Sequence, residues 1–136
     1  MISWFLLFTW CFFPNKATHT LKVQVSGCPS DKGYANVALF NSSSAFPSYG
    51  KQYKGTIVTV KDGNCLVSFS DLPAGTYAVA VFHDENGNQK LDKNLFGAPT
   101  EAYGFSRNAR GTFSAPSFED CQVSLSNNRQ INIMVK

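Results

Sequence analysis

Charge is scarce in this chain, and what there is does not cluster. Charged side chains make up 15% of its 136 residues, 12 Lys and Arg against 9 Asp and Glu. The two signs are interspersed, so there is no basic stripe to neutralise a phosphate backbone, and nucleic acid is excluded as a partner on electrostatic grounds. Histidine is scarcer still, at His19 and His83 alone. The cysteines Cys11, Cys28, Cys65 and Cys121 are dispersed without a Cys-x-x-Cys. That spacing removes thioredoxin-type redox chemistry and the paired ligands of a zinc site. No Gly-x-Ser-x-Gly elbow is present to activate a serine. No apolar run reaches the about 20 residues of a membrane helix, and no stretch carries a helical stripe of three turns.

What is present begins with an uncharged, aromatic-rich segment, Met1 to Phe13, followed by the polar Asn15-Lys16-Ala17-Thr18-His19-Thr20. The segment has the character of a signal-peptide apolar region, although no Lys or Arg precedes it and Asn15-Lys16-Ala17 is not a small-x-small cleavage site. The expectation is a signal peptide over residues 1–20 and one domain over residues 21–136, secreted or periplasmic, with no membrane span in the mature chain. Phe8-Thr9-Trp10 before Cys11 lacks the small residues of a lipoprotein cleavage box, so no lipid anchor is expected. Loss of Cys11 leaves three cysteines, enough for one internal disulfide whose partners remain open.

From Leu21 onward the apolar period is two. Leu21, Val23 and Val25 alternate with Lys22, Gln24 and Ser26, the pattern of a strand with one wet face. Tyr34 to Phe40, Ile57 to Val60 and the alternating Cys65, Val67 and Phe69 read as further strands. Asp71-Leu72-Pro73-Ala74-Gly75-Thr76-Tyr77 is a tight reversal, since proline presets its own φ and glycine accepts a positive one. It leads into Tyr77 to His83, apolar on both faces and therefore a central strand. Cys121, Val123 and Leu125 mark one face of a later strand, and Ile131, Ile133 and Val135 one face of the last. About seven short strands separated by turn residues predict an all-β fold, a single antiparallel β-sandwich with a long irregular loop after the central strand. A barrel is the second choice.

That loop opens with the sharpest motif, His83-Asp84-Glu85-Asn86-Gly87-Asn88-Gln89-Lys90-Leu91-Asp92. Asp84, Asn86, Asn88 and Asp92 occupy the first, third, fifth and ninth places of a calcium loop, and the Lys90 carbonyl the seventh. Calcium takes hard oxygen ligands, and alternating side chains on a curled loop can converge on one ion. An EF-hand has glycine in the sixth place and glutamate in the twelfth, where this chain has Gln89 and Leu95. The expectation is a non-EF-hand calcium loop with Kd of ~10⁻⁴ to 10⁻³ M, Glu85 and Glu101 being the nearest spare carboxylates. The competing reading is an Asx-rich turn that satisfies its own backbone. Beyond the motif, Phe96, Tyr103, Phe105, Phe113 and Phe118 are too apolar to leave exposed together, so the segment should fold back onto the sandwich. Glu101, Tyr103 and Phe105 are the candidates for a ligand surface.

His83 to Asn88 with Leu91-Asp92, Gly97-Ala98-Pro99-Thr100-Glu101-Ala102-Tyr103-Gly104-Phe105-Ser106 and Pro116-Ser117-Phe118-Glu119-Asp120 resemble a family of exported bacterial proteins of unknown function. The resemblance covers roughly Leu21 to Lys136. Members often have glycine in place of Gln89 and Ala102, and alanine in place of Cys121. Leu72 to Tyr77 is also similar to the prealbumin-like, Ig-like sandwiches appended to carboxypeptidases and surface adhesins. That implies a scaffold and no activity. Three function classes follow. The first is a non-catalytic exported module with a calcium loop, binding a glycan or protein through its aromatic loop. The second is a structural or assembly part of the cell envelope, pairing through an edge strand such as Leu21 to Ser26. The third is a hydrolase using His83 with Asp84 or Glu101, with Ser106 or Ser114 as nucleophile.

Overall fold

The computed structural model describes residues 17–92, 95, 99–112 and 114–136. The expected signal peptide lies outside them up to residue 16, as do Phe96 and Phe113. Eight strands follow in order: β1 (Thr18–Ser26), β2 (Tyr34–Phe40), β3 (Lys54–Thr59), β4 (Cys65–Pro73), β5 (Gly75–Asp84), β6 (Tyr103–Phe105), β7 (Val123–Leu125) and β8 (Arg129–Met134). Single turns of 3-10 helix stand at Ser106–Asn108 and Glu119–Cys121. The period-two reading of the chain is therefore realised as an all-β sandwich.

One sheet has the order β4-β1-β8, and the other the order β3-β2-β5-β6, with β7 also on β5. All pairings are antiparallel except β1 with β8. β1 is thus the centre of its sheet, hydrogen-bonded on both sides, and not the free edge that the assembly alternative took it to be. It starts at Thr18, three residues ahead of the expected domain boundary, with Thr18 opposite Pro73. The outer half of the chain also holds a strand that the periodicity did not reveal. Tyr103-Gly104-Phe105 pairs with Ala80 to Phe82, and three residues are too few to display a period.

Inward-facing residues of both sheets make the main core. Leu21, Val23 and Val25 of β1 meet Ala35, Val37 and Leu39 of β2 and Val79 and Val81 of β5. A second apolar cluster covers the opposite face of the β2–β5 sheet: Phe40, Phe46, Ala78, Phe105, Phe118 and Cys121. Phe46 is its hub, with ring centroids 5.2, 5.8 and 6.0 Å from Phe40, Phe105 and Phe118, all edge-to-face. This arrangement suits the ring quadrupoles. β5 is therefore covered on both faces, fully on the inner one from Tyr77 to His83 and on the outer one at Ala78 and Asp84, with Ala80 and Phe82 half-buried. Cys121 corrects the expectation that it shares the Val123 face of a strand. It closes a 3-10 turn and packs in the aromatic cluster, two residues before β7 begins.

Along one edge β5 changes partner. Ala80 to Phe82 pair with β6, and Gly75 to Tyr77 pair with β7. The fully buried Ser106 fills the gap, its hydroxyl accepting from the Val79 N–H at 3.0 Å and donating to the Cys121 carbonyl. This is how a buried backbone donor between two ladders stays satisfied.

The β1–β2 loop closes over the end of β5 at Gly33, whose φ is +66°. A Cβ there would stand 1.9 Å from the Asp84 carbonyl oxygen. Gly33→Ala should lose about 2–4 kcal/mol in urea unfolding, because strain and a backbone clash add. Gly50 shares the positive φ at +85° but has open space around it. Gly50→Ala should therefore lose only about 1 kcal/mol.

Candidate functional site

The residues after β5 form a curled loop whose first side chain is buried. Asp84 is 2% exposed, and its carboxylate accepts from the Asn88 N–H at 3.2 Å and the Gln89 N–H at 2.6 Å. The Asn86 amide oxygen accepts from the Asn88 N–H at 3.2 Å, and the Asn88 amide oxygen from the Lys90 N–H at 3.0 Å. Each Asx side chain thus caps the backbone two or more residues ahead, winding alternate side chains toward one side. The winding needs a left-handed residue in the sixth place. Gln89 supplies it at φ +62° without being glycine.

Asp92 closes the circle. Its carboxylate accepts from the side-chain amides of Asn86 at 2.6 Å and Asn88 at 2.8 Å. Those two amides, Asn88 first, hold the Asp92 carboxyl below its ordinary pKa. The sequence-derived set of Asp84, Asn86, Asn88 and Asp92 is therefore assembled in one place, with Lys90 on the same turn.

Glu101 stands at the loop itself. Its carboxylate accepts from the Glu85 N–H at 3.0 Å and the Asp92 N–H at 2.9 Å, so one side chain joins both ends of the loop. Burial, more than the Asp92 charge beside it, pushes its carboxyl above the ordinary range. Thr100 adds two bonds to the Asp92 carbonyl, from its N–H at 2.7 Å and its hydroxyl at 3.1 Å. Glu101 faces the loop backbone and not a ligand surface.

The donor set fits a hard cation in kind, being carboxylate, amide and carbonyl oxygen. The Asn86 and Asn88 oxygens each use one lone pair for the backbone and keep another. The positive ends of the two side-chain amides meet Asp92 where a cation's charge would serve. Among the described residues no three His, Cys, Asp or Glu side chains stand close enough to hold a metal by themselves. An ion here would therefore depend on the asparagines and the Lys90 carbonyl as well.

The other candidates divide. Phe105 is 7% exposed and belongs to the aromatic cluster. Tyr103 is half-buried, with the Arg110 guanidinium 4.4 Å from its ring centroid. Both border an open trough of about 1410 Å³ on the outer face of the β2–β5 sheet. In register, Gly55, Ala38 and Ala80 make its floor, and Ile57, Asn36 and Phe82 the next row. His83 is 0% exposed; one ring nitrogen, Nε2, stands 2.7 Å from the Lys32 carbonyl oxygen. The Nδ1 atom has no hydrogen-bond partner and lies 3.8 Å from the Glu85 carboxylate.

A second carboxylate clamp was missed in the sequence. Asp31 accepts from the Asp62 N–H at 3.0 Å and the Gly63 N–H at 2.9 Å, across the β3–β4 turn. Those N–H groups, Gly63 first, hold its carboxyl below its ordinary 3.8. Asp62-Gly63 is a turn-forming pair by residue type, but nothing along the chain points to its distant acceptor.

Compared with known proteins, residues 23–132 match a family described as "Uncharacterized protein conserved in bacteria (DUF2141)". The match spans most of the chain, which belongs to that family. No curated protein and no solved structure matches.

Gln89→Gly should stabilise the fold by about 1 kcal/mol by relieving the left-handed strain. Glu101→Ala should cost about 1–2 kcal/mol and speed amide exchange at Glu85 and Asp92 together. Asp31 contributes stability above its unfolded pKa of 3.8 and loses it as pH falls through the lower folded value. Asp31→Asn should therefore flatten the decline of melting temperature below pH 3.8, read in melts from acid to neutral pH.

Proposed function

As a member of that bacterial family, we propose, the chain is an exported, non-catalytic β-sandwich module whose presenting end is held by a calcium ion. The ligands would be the side chains of Asp84, Asn86, Asn88 and Asp92 and the carbonyl of Lys90. The observation that carries the reading is the Asx ladder with its left-handed sixth residue, because that winding directs alternate oxygens to one side before any ion arrives. Calcium would neutralise the Asp84 and Asp92 charges and take over from the amide groups on Asp92. The sandwich is read as prealbumin-like on the Leu72 to Tyr77 reversal between β4 and β5.

The trough supports a binding role in the first function class, with a secreted or periplasmic glycan or protein as partner. Tyr103, Ile57 and Phe82 offer apolar surface at its side, and Asn36 an amide for a hydroxyl-bearing ligand. Burial of His83 and Ser106 speaks against the hydrolase alternative, since neither side chain reaches a substrate in this fold. The assembly alternative moves from β1, which is central, to the edge strands β3 and β4.

Thermal melts in EDTA and across a calcium titration test the ion. Binding to the folded state alone adds about 2.7 kcal/mol at 100 times Kd, which should raise the melting point by several degrees. Asp84→Asn and Asp92→Asn should each abolish the rise. An unchanged melting point at ~10 mM calcium, ten times the weaker Kd limit, refutes the calcium reading. Glycan arrays probed with calcium present, with Tyr103→Ala as the comparison, test the trough. Equal signals from the two proteins would remove Tyr103 from the binding surface.

A further inference from the structure

Three cysteines lie among the described residues, all as free thiols, and the sheets sort them. Cys121 packs in the aromatic cluster on the outer face of the β2–β5 sheet. Cys28 and Cys65 both belong to the inner core, on the other side of that sheet. Of the three conceivable pairs, two would have to pass through a sheet. We propose that Cys28 and Cys65 form a disulfide and that Cys121 stays a thiol.

The pairing follows from the end of the β1–β4 ladder. Val25 is opposite Cys65, and Leu21, Val23 and Val25 all point into the core. Beyond Val25 the chain takes an extra step at Gly27, in the left-handed region at φ +83°, so that Cys28 turns inward in its place. The Cys28 N–H donates to the Gly63 carbonyl at 3.1 Å, which puts Gly63 opposite Cys28. Gly63 lets the two backbones approach, since a Cβ there would stand 3.0 Å from the Cys28 carbonyl oxygen, and Cys65 follows two residues further along. Cys28 and Cys65 thus face the same inner core from neighbouring positions at this end of the ladder. The link would tie the β1–β2 loop to the start of β4, beside the Asp31 clamp.

The oxidant is a small-molecule disulfide such as oxidised glutathione. One cysteine thiolate attacks it and releases one glutathione thiol. The second thiolate then displaces the other, so two protons and two electrons leave the pair and the glutathione disulfide is reduced to two thiols. Burial raises the Cys28 and Cys65 thiols and leaves little thiolate in the finished fold. The bond should therefore close during folding, and slowly in the native protein at neutral pH.

The test refolds the full chain in a glutathione redox buffer, alkylates free thiols under denaturing conditions and maps the digest by mass spectrometry. The expected result is a Cys28–Cys65 linked peptide, with Cys121 alkylated and a melting point several degrees above that of the chain refolded in excess reductant. Cys121→Ser should keep the link and the gain. Cys28→Ser and Cys65→Ser should each lose both. Alkylation at Cys28, Cys65 and Cys121 after oxidative refolding overturns the proposal, as does a link from Cys28 or Cys65 to Cys11 or Cys121, or linkage only between chains. The wild-type and Cys121→Ser maps decide the question even if the other two variants fail to fold.

Discussion

The two-sided burial of β5 is the constraint on which the rest of the molecule depends. A strand with apolar side chains on both faces needs cover on both, and here one face meets β1 and its neighbours while the other meets Phe40, Phe46, Phe105 and Phe118. Its backbone must also be paired on both edges, and β2, β6 and β7 divide that task, with Ser106 between the last two. A shift of one residue would exchange the two faces along the whole strand. Because the register is held so tightly, Asp84 always leaves the sheet at one position. The loop that follows inherits a buried first side chain.

From that origin the loop is an electrostatic construction. Three side chains, those of Asp84, Asn86 and Asn88, accept four hydrogen bonds from backbone N–H groups, so the turn is satisfied from within. Asp92 and Glu101 are displaced in opposite directions by unlike causes: amide donors lower the first, burial raises the second. Glu101 is the tertiary element, because it arrives from beyond the loop and binds the N–H groups at both its ends. A cation would act on the same balance, since it would neutralise the negative charge that the fold now offsets with two amides.

The β2–β5 sheet also separates two kinds of environment that composition does not distinguish. Its inner face is the closed core with Cys28 and Cys65, and its outer face carries the aromatic cluster, Cys121 and the open trough. The trough is a product of register. Gly55, Ala38 and Ala80 fall in one line across three strands, and their small side chains leave a channel beside the row that holds Ile57 and Phe82. Tyr103 borders that channel, while Phe105, two residues on, is committed to the cluster.

By itself the sequence determined what depends on neighbours along the chain. Period-two alternation placed strands at Leu21, Tyr34, Ile57, Cys65 and Tyr77, and Pro73 with Gly75 placed the reversal. The Asx spacing from Asp84 to Asp92 marked a self-wound loop, because each cap spans only two to five residues. Tertiary structure alone decided what depends on which strands become neighbours. The alternation of β1 is equally compatible with an edge or a centre, and only its pairing with both β4 and β8 made it a centre. Tyr103 to Phe105 was too short for a pattern, and Glu101, Asp31 and Ser106 act on partners 9 or more residues away along the chain. Side-chain alternation reports a face and not a partner. Sheet order, the two separate thiol environments and the ends of the loop were therefore settled by long-range packing.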